Sequence, residues 1–371
     1  MGNRQLRLAL FVLIATTGAV FAARGVSRQW VKRVVSVHHF EWRNRSGQRV
    51  GLGRLDDILG PPDVKYPFVG AGGELVVDMG QGDEIVDRPG ADFKVYEVGT
   101  TEHFWVLAAQ QVGGPWHFVG YGFGVSDFDL GNSPLPWARY LVLADHECIV
   151  EGTPSEGSDF DAVENFHPTR RGERLETTRV LRGSCLIGKW RYDGRFNCKP
   201  KALENLLKAY DRTVGSPVPS HFDYVDSDIE EKFFSSAILF MTGHRNFILD
   251  ERQRAALREY IERGGFLLGD ACCGNRPFAD AFYREANRVF PEIGFVRLPA
   301  DHDVYRCFHS VSANTLPLYA LIRDGRAIVV FSPNGLVCSW EGEKCPGEHR
   351  MLPEPDATQL GVNLIVYALT R

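Results

Sequence analysis

The stretch from Ala237 to Gly274 constrains this chain more than any other. It reads as one β-α-β unit ending in a turn rich in reactive side chains. Ala237–Met241 is a short apolar run that ends in Thr242-Gly243-His244. Asp250 followed three residues later by Gln253 is the signature of a capping box. Leu257, Tyr260 and Ile261 recur at helical spacing, with Arg and Glu on the opposite face. Gly264-Gly265 stops that helix. Phe266-Leu267-Leu268 then reads as a buried strand, and Asp270-Ala271-Cys272-Cys273-Gly274 as the turn after it. Two strands joined by a helix of this length are expected to lie parallel, with a right-handed crossover. Ligands of such sheets bind beyond the carboxyl ends of the strands, which is where His244 and Cys272 are expected.

The pattern around this unit extends it to a domain over residues 185–371. Gly183–Tyr192 and Arg326–Ser332 read as strands. Lys201–Tyr210, Pro277–Phe290 and Ala357–Leu369 read as helices with one apolar face. Strands alternating with helices of this length predict a doubly wound parallel sheet. Upstream, Val34–Val37, Leu75–Val77, Phe93–Tyr96, Phe104–Leu107, Trp116–Val119 and Tyr140–Leu143 are short β runs separated by Gly, Pro and Asp. That pattern predicts an all-β, jelly-roll-like sandwich over residues 34–167. The polar, Arg-rich segment between the two reads as a linker over residues 168–184.

With 371 residues, two domains fit the usual size of roughly 100–200 residues each. The net charge of -5 gives no electrostatic case for nucleic acid. Arg4 and Arg7 precede an apolar run from Leu8 to Ala19, and Val20-Phe21-Ala22 suits a signal peptidase. Residues 1–22 are therefore expected to be a cleaved signal, with no membrane span left afterwards. The expected location is periplasmic, cell-surface or extracellular. Export makes disulfides among the eight cysteines reasonable, with Cys185–Cys198 and Cys338–Cys345 as local candidates.

Cys272 follows a buried strand and precedes a helix that starts near Asn275–Pro277, a place that favours a thiolate. His244 or His302 is a candidate base, with His309 as a further one, and Thr242 could help hold an oxyanion. Asp270, beside the thiol, completes the candidate set of Cys272, His302, His244 and Asp270, although an anion there raises a thiol's pKa. Two other readings stand beside this one: a metal site of His244, Cys272, Cys273 and His302, and two small residues that merely pack a tight turn. In the sandwich, Asp87, Asp92, Asp159 and Asp161 are candidate calcium ligands, or simply turn residues. Trp116 and Trp137 are candidate glycan-stacking rings, or packing residues.

Two resemblances follow from longer motifs. Leu59–Asp63 (LGPPD), Gly70–Gly80 (GAGGELVVDMG), Asp87–Glu97 (DRPGADFKVYE) and Gly157–Val163 (GSDFDAV) resemble a β-sandwich module of secreted bacterial proteins, which implies a galactose-binding-like fold. Lys189–Gly194 (KWRYDG), Leu239–His244 (LFMTGH), Leu257–Gly274, Leu298–Tyr305 (LPADHDVY), Val329–Trp340 (VVFSPNGLVCSW) and Gln359–Thr370 resemble the bacterial domain of unknown function 4159 family. That family is similar to the class I glutamine amidotransferase-like fold, a flavodoxin-like parallel sheet. An amidotransferase carries His-x-Glu after its nucleophile, and none follows Cys272. The expected function is thus an exported envelope or cell-surface protein of binding or assembly type, with a glycan or envelope protein as partner. The alternative is a cysteine-dependent hydrolase or acyl transferase acting on an envelope substrate through Cys272.

Overall fold

The structure is a computed structural model that describes residues 29–38, 42–43, 49–50, 52–70, 72–99, 102–146, 157–176, 185–228, 230–342 and 352–371. The expected signal segment 1–22, the end of the expected linker, Cys148 and Cys345 lie outside these residues.

The N-terminal region is strand-rich. One sheet has the order β1-β9-β4-β7, from Gln29–Trp30 (β1), Phe93–Val98 (β4), Ser126–Phe128 (β7) and Asp159–Asn165 (β9). The other has the order β2-β3-β8-β5-β6, from Arg33–His38 (β2), Glu74–Asp78 (β3), His103–Ala109 (β5), His117–Phe123 (β6) and Tyr140–Asp145 (β8). All neighbours in both sheets are antiparallel. Side chains alternate between the two faces of a strand. Leu75, Val77, Phe104, Val106, Leu141 and Leu143 therefore fill the core of this region. The alternate residues Val76, Trp105, Leu107, Val142 and Ala144 point the other way, yet they are buried too.

What covers that second face is the C-terminal region. Its seven-stranded sheet runs β11-β10-β12-β13-β16-β15-β14. The strands are Cys185–Trp190 (β10), His221–Val225 (β11), Ile238–Gly243 (β12), Phe266–Ala271 (β13), Val296–Arg297 (β14), Tyr319–Arg323 (β15) and Arg326–Ser332 (β16). The helices are Ala202–Val214 (α1), Glu230–Ser235 (α2), Glu251–Glu262 (α3), Arg276–Val289 (α4), Leu336–Glu341 (α5) and Glu354–Thr370 (α6). The first five strands in sheet order are parallel, as expected. The sheet as a whole is mixed, because β15 runs antiparallel to both its neighbours, β16 and β14, at one edge. The turn Asp324-Gly325 explains this: it joins β15 to β16 as a hairpin, which only antiparallel strands allow. The capping box at α3 forms as its sequence predicts, with Asp250 accepting from Gln253 N and Gln253 Oε1 accepting from Asp250 N.

The two regions share one apolar core. Val76, Trp105 and Leu107 pack with Trp190, Tyr192, Phe196, Phe233 and Phe247. Polar contacts ring this core. Glu341 accepts from Tyr121 OH and from Lys201 N. The Lys201 ammonium lies 4.7 Å from the ring centres of both Phe118 and Tyr121. Residues 166–176 are tied to the strand-rich region, with Pro168 bridged to Ile85 and Trp137 Nε1 donating to Glu176 O.

A sheet buried on both faces by two different regions makes their unfolding one event. The full chain is expected to give a single calorimetric transition. Trp105→Ala should lower stability by about 3–5 kcal/mol and resolve a second, lower transition. Two transitions in the unmutated protein would contradict the shared core.

Candidate functional site

The carboxyl ends of β10, β12, β13 and β16 meet at one edge of the sheet. Cys272 follows β13 directly and is fully buried. Cys273 is half-buried and has a left-handed backbone with φ of 56°. That conformation costs a non-glycine residue on the order of 1–3 kcal/mol and persists only where surroundings enforce it. Here it carries the Cys273 side chain toward Cys338 on α5. The three sulfurs form a triangle, with Sγ–Sγ distances of 3.8 Å for Cys272–Cys273, 3.7 Å for Cys272–Cys338 and 3.5 Å for Cys273–Cys338. Cys273 N also donates to Cys338 Sγ at 3.2 Å.

Asp270 explains why α5 sits there. Its Oδ1 accepts from Leu336 N at 2.7 Å and its Oδ2 from Val337 N at 3.1 Å. These are two of the N–H groups that a helix start leaves without an internal partner. Gly335 permits the close approach. Its φ is +73°, and a Cβ there would stand 2.9 Å from Cys273 N. Burial pushes the Asp270 carboxyl up to about 6, against the pull of these hydrogen bonds.

Cys198 and His244 lie on the other side of Cys272, and the donor atoms of the three lie within 4.8 Å of one another. His244 follows β12, and its N donates to Gly194 O at 3.2 Å. Cys198 comes from the loop after β10, which is buried from Gly194 to Pro200. Lys189 is buried beneath this loop and donates from Nζ to Asn197 Oδ1 at 2.6 Å. Burial lowers its pKa to about 8, opposed by Cys198, Glu341, Glu74 and Cys272. Burial likewise raises the Cys272 thiol well above its ordinary value, and its Cys198, Cys273 and Cys338 neighbours add to that. The cavity at this point holds about 10 Å³ and is lined by Gly72, Asp145, Arg195, Asn197 and Cys198. The strand-rich region approaches it closely, since a Cβ on Gly72 would meet Arg195 Cδ at 2.9 Å.

Of the residues singled out in the sequence, Cys272, His244 and Asp270 therefore converge. His302 does not join them. It caps a short turn by accepting at Nδ1 from Val304 N, and it lines a groove with Asp301, Arg326, Tyr367 and Arg371. Arg326 starts β16, whereas Cys272 lies past the end of its parallel neighbour β13, so the two sites occupy opposite edges of the sheet. His309 is held by Asn363, which accepts from its backbone N. Thr242 is buried at the end of β12, with its carbonyl taken by Tyr192 OH at 2.6 Å. Cys198 forms no disulfide, against the expected Cys185–Cys198 bridge, and Cys338 meets Cys272 and Cys273 across the site, while Cys345, its expected local partner, lies outside the described residues. The places of Cys198 and Cys338 in the site depend on a buried loop and on the Asp270–α5 contact, which no spacing reveals.

The acidic candidates of the strand-rich region divide. Asp87 and Asp92 come together with Asp129, all within 4.8 Å. Asp161 is elsewhere, accepting from Asp63 N and Val64 N, and Asp159 abuts Gly99. Asp92 is itself occupied, accepting from Arg88 N and Leu130 N at 2.8 Å each. Trp116 packs on the shared core, and the Trp137 ring is engaged by the Glu176 carbonyl.

Residues 186–369 match the family model described as Domain of unknown function (DUF4159). The DUF4159 region thus includes every cysteine and histidine of the site, while Gly72 and Asp145 come from outside it. No curated protein matches the chain. Among solved structures, a Ruminococcus gnavus family 29 glycoside hydrolase fucosidase in complex with fucose is 12% identical, with a TM-score of 0.23. That match covers 33% of this chain and 24% of the fucosidase, so the chain spans about a quarter of that protein. A Clostridium perfringens family 89 glycoside hydrolase in complex with PUGNAc is 11% identical, covering 82% of this chain and 25% of that one, with a TM-score of 0.21. An acetyl xylan esterase from Butyrivibrio proteoclasticus is 9% identical, covering 71% and 85%, with a TM-score of 0.24. Likenesses this weak carry neither fold nor activity to this chain.

Asp145 gives the site edge a pH signature. It accepts from Gly72 N at 2.7 Å, from Ser158 N at 3.0 Å and from Ser158 Oγ at 2.9 Å. Burial nevertheless raises its pKa from 3.8 to about 6. The folded chain therefore keeps a proton that the unfolded chain gives up, so this residue's contribution, full below about pH 4, is lost as pH rises through about 6. Urea melts of the protein and of Asp145→Asn at pH 4 and pH 7 should differ accordingly. The unmutated protein should lose on the order of 2–3 kcal/mol relative to the variant over that interval. A difference that does not change with pH would contradict this.

Proposed function

We propose that the protein is an exported envelope or cell-surface component of binding or assembly type, built on a galactose-binding-like sandwich and a non-catalytic, amidotransferase-like α/β domain. The observation that carries this reading is the burial of Cys272. A nucleophile must be a thiolate and must reach its substrate. Cys272 has no exposed surface, its thiol is held protonated by burial, and the cavity beside its neighbour Cys198 is about the size of one water. His302, one of its two leading candidate bases, is on the far edge of the sheet. The edge at which such sheets take ligands is instead filled by α5, by the loop of residues 191–200 and by the sandwich turn at Gly72.

Binding in this reading belongs to the sandwich and its surface, with a glycan or an envelope protein as partner. Its acidic corner of Asp87, Asp92 and Asp129 is the place for calcium. Burial and Asp129 both raise the Asp87 carboxyl, which a bound cation would reverse.

Alkylation of the folded, mature protein tests the reading, with mass spectrometry to identify the modified cysteine. Cys273 and Cys307, both half-buried, are expected to react before Cys272. Cys272 should be protected at least 100-fold relative to a model thiol of pKa about 8.5 up to pH 9. Fast labelling of Cys272 with an apparent pKa below that value would restore the hydrolase or acyl transferase reading.

A further inference from the structure

We propose that Cys272, Cys273 and Cys338 form a three-thiolate site for one soft divalent cation of the zinc class. The proposal goes beyond the non-catalytic reading and does not depend on what the sandwich binds. Its first support is metric. Sulfurs that each lie about 2.3 Å from a tetrahedral zinc stand about 3.8 Å from one another. The three sulfurs here stand 3.8, 3.7 and 3.5 Å apart, so little movement is needed to place an ion between them.

The second support is how the triangle is held. Each sulfur comes from a position the fold fixes: the end of β13, a left-handed residue, and a short helix pinned by Asp270. The backbone strain at Cys273 is what turns its sulfur toward Cys338. Cys273 N donates to Cys338 Sγ, the kind of contact that orients and stabilises a thiolate ligand. The buried Lys189 ammonium, close enough to Cys198 and Cys272 to influence both, supplies positive charge against a site that would carry a net negative one. Cys198 and His244 offer a second set of donors on the other side of Cys272. Cys273, only half-buried, provides the way in.

Binding exchanges three thiol protons for one divalent ion and changes no oxidation state. Three protein ligands leave one tetrahedral position for another group. The thiophilic donors select zinc or cadmium over magnesium or calcium.

The test uses the mature full chain, reduced and then loaded with Cd²⁺ or Zn²⁺ alone. About one ion per chain should survive dialysis by elemental analysis. The cadmium form should show a thiolate-to-metal charge-transfer band of the strength three thiolates give. Cys338→Ser should weaken retention roughly tenfold or more, while Cys307→Ser, outside the cluster, should not change it. Cys273→Ser, at the least buried of the three, serves if Cys338→Ser unfolds, and the charge-transfer band of the unmutated protein needs no variant. Absence of that band, retention unchanged in both serine variants, or a Cys273–Cys338 disulfide in place of metal uptake would each overturn the proposal.

Discussion

The contact on which the thiol-rich edge depends is a buried carboxylate meeting a helix start. Asp270 ends a central strand and accepts from Leu336 and Val337 at the beginning of α5. An ionised carboxylate without partners in such a place would cost several kcal/mol, and the two N–H groups without a carboxylate would be nearly as costly. Each solves the other's problem. The result is that α5 cannot sit elsewhere, and Cys338 is delivered to the Cys272-Cys273 turn. Glu341, at the other end of the same short helix, reaches Tyr121 of the strand-rich region. One six-residue helix therefore links the sheet edge, the thiols and the second region.

The same logic explains why the edge is closed. The five-stranded sheet of the strand-rich region is apolar on both faces, so it has to be covered on both. The α/β region covers it with Trp190, Phe233 and their neighbours. That packing lays the Gly72 turn and Asp145 against Arg195 and Cys198. In a free-standing α/β domain this edge would be the natural cleft. In this protein it is an internal boundary between the two regions, lined by groups of both.

Much of this was legible in the sequence, and the reasons are local. The strand at Phe266, the capping box at Asp250 and the helix after Asn275 follow from periodicity and end signals within a few residues. The convergence of His244, Asp270 and Cys272 follows from one β-α-β unit. What local pattern cannot supply is which distant segments meet. Strand Tyr319–Arg323 carries no alternation that sets it apart, and its hairpin with β16 turns an expected parallel sheet into a mixed one. His302 lies in a separate motif, Leu298–Tyr305, whose place at the opposite edge no local pattern reveals. Cys338 looked like half of a local bridge because spacing cannot show its contacts with Cys272 and Cys273, which span 66 and 65 residues. The continuous apolar run from Tyr140 to Ala144 did hold the clue to the shared core, since a strand with one wet face would alternate.

Hydrogen exchange at the Leu336 and Val337 amides tests the central claim most directly, because an edge closed by Asp270 and a mobile active-site loop predict opposite rates. If the edge is closed, both amides exchange only through global unfolding, as slowly as those of the central strand Phe266–Ala271. If both exchange within seconds while that strand stays protected, α5 opens in the native protein. The closed, thiol-lined edge described here would then be wrong.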